Sequence, residues 1–203
     1  MLPTLEPMLA LPSPPFDSVQ YSFEIKWDGV RALAAVEAKS WRLWGRGLSD
    51  YTPRYPELEV VRGWPAGTLL DGEVVALRGG VADLAALLQR HALVDPWRIG
   101  QAWRWCPVVY VVFDLLYHAG RCLLHEPLQQ RRQLLAEGCA ALDVPQLLYS
   151  AGVMGGGQAC YEAALAAGHE GVVAKQLGSA YRPGRRAPAW RKIKPGPRRR
   201  RPG

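Results

Sequence analysis

The chain has 203 residues, enough for one large domain or two small ones, and 49% of them are hydrophobic, which is enough to form a buried core. Its 25 lysines and arginines outnumber its 18 acidic residues, and the net charge of +7 favours an anionic partner such as nucleic acid. The spacing of the four cysteines argues against a zinc site. Neither a signal peptide nor a membrane-spanning run is evident, so we expect a cytoplasmic protein with no membrane partner.

The first half of the chain reads mainly as strands. Residues 1–20 are rich in proline and are expected to form an extended lead-in over the surface. From residue 21 apolar and charged residues alternate through Trp27, which predicts a half-buried strand. Further strands are predicted at residues 30–36, 41–44, 69–77 and 108–116, and the last is apolar enough to be buried on both faces.

Fewer helices than strands are predicted, and each helix is indicated by residues that are typical of a helix start or end. They are predicted at residues 84–91 with Asp83 as cap, at 127–142 with Pro127 in the first turn, and at 158–167 before Gly168. Two strands, 171–175 and 190–194, follow, separated by a basic loop at 182–188. Adjacent strands without intervening helices predict an α+β domain of mainly antiparallel sheets at 21–195, before a disordered basic tail at 196–203.

Two short motifs in the first half combine lysine and carboxylates. Residues 26–31 read K-W-D-G-V-R, and the alternation predicts that Lys26 lies within a strand on the same face as Glu24 and Asp28. Residues 70–73 read L-D-G-E and place the carboxylates of Asp71 and Glu73 on one strand face. Taken singly, these motifs fit an edge-strand salt bridge or a solvated strand face equally well.

Two further motifs stand near the end of the chain. Residues 170–175 read E-G-V-V-A-K, so that Glu170 and Lys175 flank an apolar strand. Residues 190–194 read W-R-K-I-K, where a period of two places both lysines on the face of the tryptophan, an arrangement suited to a phosphate chain. Taken singly, residues 170–175 fit an ordinary strand with charged ends, and residues 190–194 fit a basic strip on the surface.

The order and spacing of these motifs, with Phe113-Asp114 between them, resemble the covalent nucleotidyltransferases: ATP-dependent DNA ligases, RNA ligases and mRNA capping enzymes. The flanking sequences resemble the bacterial ATP-dependent DNA ligases, including those of non-homologous end joining. These flanks are W-G-R-G at 44–47, Y-T-P-R-Y-P-E-L at 51–58, V-F-D-L-L at 112–116, P-L at 127–128 and R-R at 131–132. The resemblance runs from about residue 7 to residue 194.

The resemblance implies a nucleotidyltransferase fold with an ATP site between antiparallel sheets flanked by helices. Lys26 is then the nucleophile that attacks the α-phosphorus of ATP, forms lysyl-AMP and releases pyrophosphate. The AMP passes to a DNA 5′-phosphate, which is joined to a 3′-hydroxyl, in DNA repair or recombination. Lys192 and Lys194 are the catalytic cations that meet the charge developing on the phosphate.

The resemblance also assigns the remaining binding residues. They are Glu24 beside the adenine, Phe113 stacked on it, Arg31 and Glu73 at the ribose, Lys175 in the ATP site, and Arg46 at a phosphate or the DNA nick. The metal is Mg²⁺ or Mn²⁺, and the implied carboxylate ligands are Glu170 and Glu73, since Mg²⁺ prefers oxygen ligands and phosphates.

The sequence departs from the family pattern in two places. Gly45 stands where many relatives have serine, a change from which we expect little effect. Nine residues follow Lys194, too few for the OB-fold domain with which such ligases continue. We therefore expect slow sealing, or a partner that supplies an OB-fold or end-joining function. The expected substrate is nicked or broken double-stranded DNA in the bacterial cytoplasm, at the nucleoid.

Other functions remain open. An RNA ligase or a capping-type guanylyltransferase shares the motifs, and only the capping enzyme should prefer GTP. An NAD-dependent ligase fits less well, because only 25 residues precede Lys26. A non-catalytic DNA-binding module is the alternative from another class, and the complete motif set argues against it.

Overall fold

The computed structural model describes residues 1–196, so the predicted tail lies, except for its first residue, outside the described residues. The strands are β1 (Leu9–Pro12), β2 (Ser18–Ile25), β3 (Val30–Val36), β4 (Trp41–Gly45), β5 (Thr68–Arg78), β6 (Val81–Ala82), β7 (Val108–His118), β8 (Arg121–Cys122), β9 (Leu147–Tyr149), β10 (Gly152–Gly155), β11 (Val172–Gln176) and β12 (Arg186–Ile193). The helices are α1 (Leu84–His91), α2 (Pro96–Trp105), α3 (Leu128–Leu142) and α4 (Gly157–Ala166), with short 3-10 helices at Thr52–Arg54 and Pro56–Gly63. Within this described part no helix is both long and apolar enough to cross a membrane.

The strands form two sheets. The five-stranded sheet has the order β1-β12-β11-β2-β10, and the seven-stranded sheet has β4-β3-β5-β7-β8, with β6 paired to β5 and β9 to β7. Every pair is antiparallel except β1 with β12 and β7 with β9. The predicted α+β organisation of mainly antiparallel sheets is what the structure has.

Three apolar clusters hold the layers together. Leu33, Leu69 and Phe113 of the seven-stranded sheet pack against Trp190 of the five-stranded sheet, so the two sheets face each other. The opposite face of the seven-stranded sheet is covered by α1, α3 and the 3-10 helices. The opposite face of the five-stranded sheet is covered by α4. Polar residues that face the space between the sheets are therefore brought together from distant parts of the chain.

The lead-in is part of the fold rather than a surface segment. Residues 9–12 form the edge strand β1, and the Leu9 N–H donates to the Arg185 carbonyl at 2.9 Å. Met8 is fully buried between the sheets. An edge strand tolerates proline, because one side of it needs no hydrogen-bond donors. Proline content alone therefore did not exclude a strand here.

Two further differences concern β2 and β12. Strand β2 is buried on both faces rather than half-buried, since Phe23 faces α4 while Glu24 is buried on the other side. It ends at Ile25, so Lys26 lies one residue beyond the strand and not within it. Strand β12 begins at Arg186, inside the predicted basic loop.

Candidate active site

The nine residues predicted to bind ATP all line one cavity between the two sheets, with a volume of about 290 Å³. The lining residues are Leu9, Ala10, Glu24, Ile25, Lys26, Trp27, Arg31, Arg46, Glu73, Phe113, Val173, Lys175, Arg186, Trp190, Lys192 and Lys194. Glu170 is outside this lining but contacts two of its lysines. The motifs, separated by up to 168 positions in sequence, thus converge on one site.

Lys26 is positioned by the backbone of the neighbouring strand. Its N–H donates to the carbonyl of Gly171 at 2.9 Å, directly after β2 ends. Gly171 has a φ of +146°, and a Cβ there would lie 2.1 Å from the carbonyl oxygen of Ile193. No side chain fits this position, which explains a glycine directly after Glu170.

Glu170 holds the amino groups of two lysines. Its Oε2 accepts a hydrogen bond from Lys26 Nζ, and its Oε1 accepts one from Lys194 Nζ at 3.1 Å. Burial alone would raise the pKa of Glu170, but the two lysine contacts outweigh burial and lower this pKa below its ordinary value. The predicted nucleophile, the predicted metal ligand and one predicted catalytic cation are therefore in direct contact.

Lys192 lies on β12, and its face of the strand lines the cavity. Burial, followed by the charges of Arg186, Lys194, Lys26 and Arg46, lowers the pKa of Lys192. Arg186 lines the cavity as well and was not singled out from the sequence. This concentration of positive charge is suited to a triphosphate.

Arg31 is fixed by a residue whose role sequence reasoning missed. Its guanidinium donates twice to the buried Asp71, from Nε to Oδ1 at 2.6 Å and from Nη2 to Oδ2 at 2.7 Å. The Tyr181 hydroxyl also donates to Asp71 Oδ2 at 2.7 Å and accepts from the Met8 N–H at 2.8 Å. The sequence analysis noted only that Asp71 shares a strand face with Glu73. The presence of Arg31 in the motif at residues 26–31 was the signal that could have indicated an ion pair with Asp71.

Glu24 belongs to a buried ion-pair network. Its Oε1 accepts from Arg132 Nη1 of α3, and its Oε2 accepts from Lys175 Nζ at 2.8 Å. Arg132 Nη2 also donates to the Ser150 carbonyl at 3.1 Å, which ties α3 to the segment between β9 and β10. Burial lowers the pKa of Lys175, although the charge of Glu24 opposes the shift. No pattern in the sequence indicated the contact between Arg132 and Glu24.

Phe113 is held between cations and a second aromatic ring. Lys175 Nζ lies 4.0 Å from its ring centroid and Arg31 Cζ lies 4.5 Å from it. Trp190 packs edge-on against it with the ring centroids 6.2 Å apart. The Phe113 ring thus lines the cavity in contact with two cations and a second aromatic ring.

Glu73 and Glu170 are the carboxylates that the sequence predicts as metal ligands. Burial raises the pKa of Glu73 to about 7, although the charges of Arg31, Lys26 and Arg46 lower it. Among residues 1–196 no group of three or more histidine, cysteine or acidic side chains is arranged to hold a metal ion. Glu73 and Glu170 can each offer oxygens to Mg²⁺, which commonly combines one or two carboxylates with substrate phosphates and water.

The departure at Gly45 has a local explanation. A Cβ at this position would lie 2.2 Å from the Tyr51 hydroxyl oxygen, so the tyrosine side chain occupies the space that a serine side chain needs. Tyr51 in turn packs edge-on against His91 of α1, with the ring centroids 4.6 Å apart. Gly45 therefore leaves the space that the Tyr51 side chain occupies.

The sequence of this chain is similar to those of known DNA ligases. A probable DNA ligase of Anaeromyxobacter sp. (strain Fw109-5) is 36% identical over 202 residues, covering 96% of this chain and 38% of that protein. The multifunctional non-homologous end joining protein LigD of Mycobacterium bovis is 37% identical over 180 residues, covering 86% of this chain and 22% of that protein. The chain thus spans less than two fifths of these relatives.

Solved structures confirm the predicted nucleotidyltransferase-type fold. The ligase domain from M. tuberculosis LigD superposes with a TM-score of 0.78 at 33% identity, covering 94% of this chain and 60% of that chain. A mycobacterial DNA ligase D complexed with ATP and MES superposes with a TM-score of 0.75 at 32% identity, with the same coverage. The model of the ATP dependent DNA ligase domain matches residues 7–194, nearly the whole chain. The chain therefore belongs to the family of ATP dependent DNA ligase domains.

Proposed function

We propose that this domain transfers AMP from ATP to Lys26 and then to a DNA 5′-phosphate, which it joins to a 3′-hydroxyl. The observation that carries the proposal is the convergence of Lys26, Lys192 and Lys194 in one cavity, with Glu170 in contact with two of these lysines. The same cavity holds Phe113 and the Glu24 network. A cavity that combines cations with an aromatic ring matches the two parts of a nucleoside triphosphate.

The first step forms a bond between Lys26 Nζ and the α-phosphorus and breaks the bond from that phosphorus to pyrophosphate. Lys26 must first lose a proton, and Glu170 is the carboxylate within hydrogen-bond distance of it. Lys192 and Lys194 meet the negative charge that develops on the phosphate oxygens. Mg²⁺ or Mn²⁺, held by Glu170 and Glu73, would supply further positive charge there.

The second and third steps consume the lysyl-AMP. An oxygen of a DNA 5′-phosphate attacks the α-phosphorus and releases Lys26, and a 3′-hydroxyl then attacks the activated 5′-phosphate and releases AMP. Arg46 is exposed at the rim of the cavity, where it can hold a DNA phosphate. The likeness to LigD, named for non-homologous end joining, supports nicked or broken duplex DNA as substrate, an end-joining protein as partner and the bacterial nucleoid as the place of action.

Covalent labelling tests the proposal. We expect incubation with α-labelled ATP and Mg²⁺ to give a labelled protein band on a denaturing gel, and γ-labelled ATP to give none. Lys26→Ala should abolish the label and leave the fold intact, because it removes the amino group that forms the phosphoramidate. Lys39→Ala, which removes an exposed lysine between β3 and β4, is the matched control and should label like the wild type. A label that persists in Lys26→Ala would place the nucleophile elsewhere.

The same assay separates the alternatives. Labelling by GTP in preference to ATP would indicate a capping-type enzyme, and joining of RNA but not DNA ends would indicate an RNA ligase. A chain that binds DNA and takes no label from any nucleotide would be a non-catalytic module.

A further inference from the structure

Helix α2 presents an unusual surface of tryptophan and arginine. Trp97, Trp103 and Trp105 are 73%, 53% and 54% exposed, although tryptophan is highly buried on average. We call these three residues, together with Arg98 and Arg104, the α2 surface. Val94 in the preceding loop and Leu88 of α1 are exposed as well. Large apolar side chains concentrated in one short exposed segment point to an interaction site.

The helix geometry places aromatic and cationic groups together. Ile99 and Ala102 form the buried face of α2. At 100° per residue, Trp97 and Arg104 point away from this buried face, while Trp105 and Arg98 lie together on the adjoining flank of the helix. Bases that stack there would therefore lie beside a guanidinium group.

The charged residues of the α2 surface are all positive. Arg104 Cζ lies 5.4 Å from the centroid of the Trp103 ring, and Arg98 is exposed. The helix contains no acidic residue, and its cap, Asp95, accepts the Arg98 N–H at 2.8 Å. The surface is therefore suited to an anionic partner with flat aromatic groups.

The α2 surface is connected to the rim of the active site through short segments. Arg46 follows directly after β4, and the 3-10 helix Thr52–Arg54 begins a few residues later. Arg54 Nη1 donates to the carbonyl of Leu93 at 3.2 Å, which ties this segment to the loop that enters α2. The segment that follows Arg46 is thus in direct contact with the loop that enters α2.

We propose that the α2 surface binds single-stranded DNA, with unpaired bases stacked on Trp97 and Trp105 and phosphates held by Arg98 and Arg104. Stacking on indole rings together with cationic contacts to the backbone is how proteins hold single strands without sequence preference. A duplex keeps its base faces covered, so exposed indoles favour unpaired bases. A second copy of the chain fits less well, because pairing α2 with α2 brings arginine against arginine. This inference goes beyond the proposed ligase activity and does not depend on nucleotide transfer.

The test measures binding of a fluorescein-labelled 20-nucleotide oligo(dT) strand, and of a blunt duplex of equal length, to the full chain by fluorescence anisotropy at a series of salt concentrations. We expect Trp97→Ala/Trp105→Ala to weaken single-strand binding at least about tenfold, since each stacked base contributes substantially. We expect Arg98→Gln/Arg104→Gln to weaken it and to reduce its salt dependence. Duplex binding should change less than about twofold in both variants. Val153→Ala/Met154→Ala, which alters exposed apolar residues on β10, is the matched control and should bind like the wild type.

A conservative variant keeps the test decisive if the alanine variant folds poorly. Trp97→Phe/Trp105→Phe retains aromatic faces of smaller area, so we expect affinity in the order wild type, phenylalanine variant, alanine variant. Labelling of Lys26 by ATP, measured on the same preparations, should be unchanged. Single-strand binding that is unaffected in both tryptophan variants would overturn the proposal and leave the surface to a protein partner. Failure of the labelling assay with the wild type would instead contradict the proposed function and leave this inference standing.

Discussion

Asp71 illustrates how single residues prepare the site without lining the cavity. It is fully buried, and its carboxylate is shared between Arg31 and Tyr181. Removing one partner of a buried ion pair leaves the other charge uncompensated, which is strongly destabilising. We therefore expect Asp71→Asn to lower the free energy of unfolding by about 3 kcal/mol and to slow Lys26 labelling. Denaturant unfolding and labelling rates measure the two effects.

Tyr181→Phe is the matched control for Asp71. It removes one hydroxyl and leaves both contacts between Arg31 and Asp71 in place, so we expect a loss of about 1 kcal/mol and near-normal labelling. Equal losses in the two variants would contradict a special role for the arginine–aspartate pair.

Glu73 links the site to the pH dependence of stability. Burial raises its pKa from 4.5 to about 7, so the folded protein binds this proton more tightly than the unfolded chain does. The contribution of Glu73 to stability therefore falls as the pH rises from 4.5 to about 7, where its ionised form is buried. We expect Glu73→Gln to raise the free energy of unfolding at pH 8 by up to about 3 kcal/mol, since one pKa unit corresponds to about 1.4 kcal/mol.

Urea unfolding in the presence of a metal chelator, at a series of pH values, measures this difference. The gap between variant and wild type should close below pH 4.5, where both states are protonated. The same variant should label slowly, since it lacks the carboxylate. A pH-independent gap would mean that Glu73 titrates normally.

Glu170 and Lys192 are predicted to act on the reacting phosphate. We expect Glu170→Ala and Lys192→Ala each to reduce the rate of adenylation at least about a hundredfold, as for loss of a charge-stabilising group. Circular dichroism controls for folding. Labelling close to the wild-type rate in both variants would show that Glu170 and Lys192 do not act on the phosphate or the metal.

Strand β1 is the element whose importance the sequence understated. Its pairing with β12, and the contact of the Met8 N–H with Tyr181, join the first residues to the site. We expect deletion of residues 1–12 to lower the free energy of unfolding by at least about 3 kcal/mol. The deletion removes the Met8 side chain, exposes the apolar residues that pack around it, and breaks the pairing of β1 with β12. It should also slow labelling, since Leu9 and Ala10 line the cavity. Unchanged stability after deletion would fit a lead-in that merely covers the surface.

Elements with a clear period or cap were predictable. Strand β3 and helix α1 have the predicted bounds, and the cap is as expected, with Asp83 Oδ1 accepting the Ala86 N–H at 3.0 Å. Helix α2 was missed because its tryptophans and arginines follow no apolar stripe, although Asp95 before Pro96 was a signal for a helix start. Strands such as β1 and β10 are four residues long and depend on pairing across the chain, which local pattern does not reveal.

The same distinction applies to the candidate site. Residues in motifs, such as Lys26 and Lys192, were found because the family pattern names them. Arg132 and Tyr181 were not assigned roles, because their contacts with Glu24 and Asp71 join residues more than a hundred positions apart. The positions of such partners follow from the packing of α3 and of the chain before β12, which only the structure shows.

At the scale of the whole molecule, the net charge of +7 should govern DNA binding. The affinity for duplex DNA should fall steeply with salt, with a logarithmic slope of about −0.9 for each phosphate contacted. We expect Arg46→Gln to make this slope shallower by about one, because it removes one phosphate contact. Anisotropy titrations of a nicked duplex across a salt series measure the slope, and Arg121→Gln, an exposed arginine outside the cavity lining, is the control. Identical slopes for Arg46→Gln and the wild type would place the DNA elsewhere.

The order in which the chain leaves the ribosome has a consequence for the five-stranded sheet. Strand β2, which precedes Lys26, pairs with β10 and β11, and β11 pairs with β12, so its partners are all synthesised after residue 151. Strands β3, β4 and β5, in contrast, pair with near neighbours and can assemble early. Contacts between distant segments form slowly. A partly synthesised chain therefore carries its nucleophile without the pocket around it, and the ability to capture a nucleotide arises only when Lys194 has emerged.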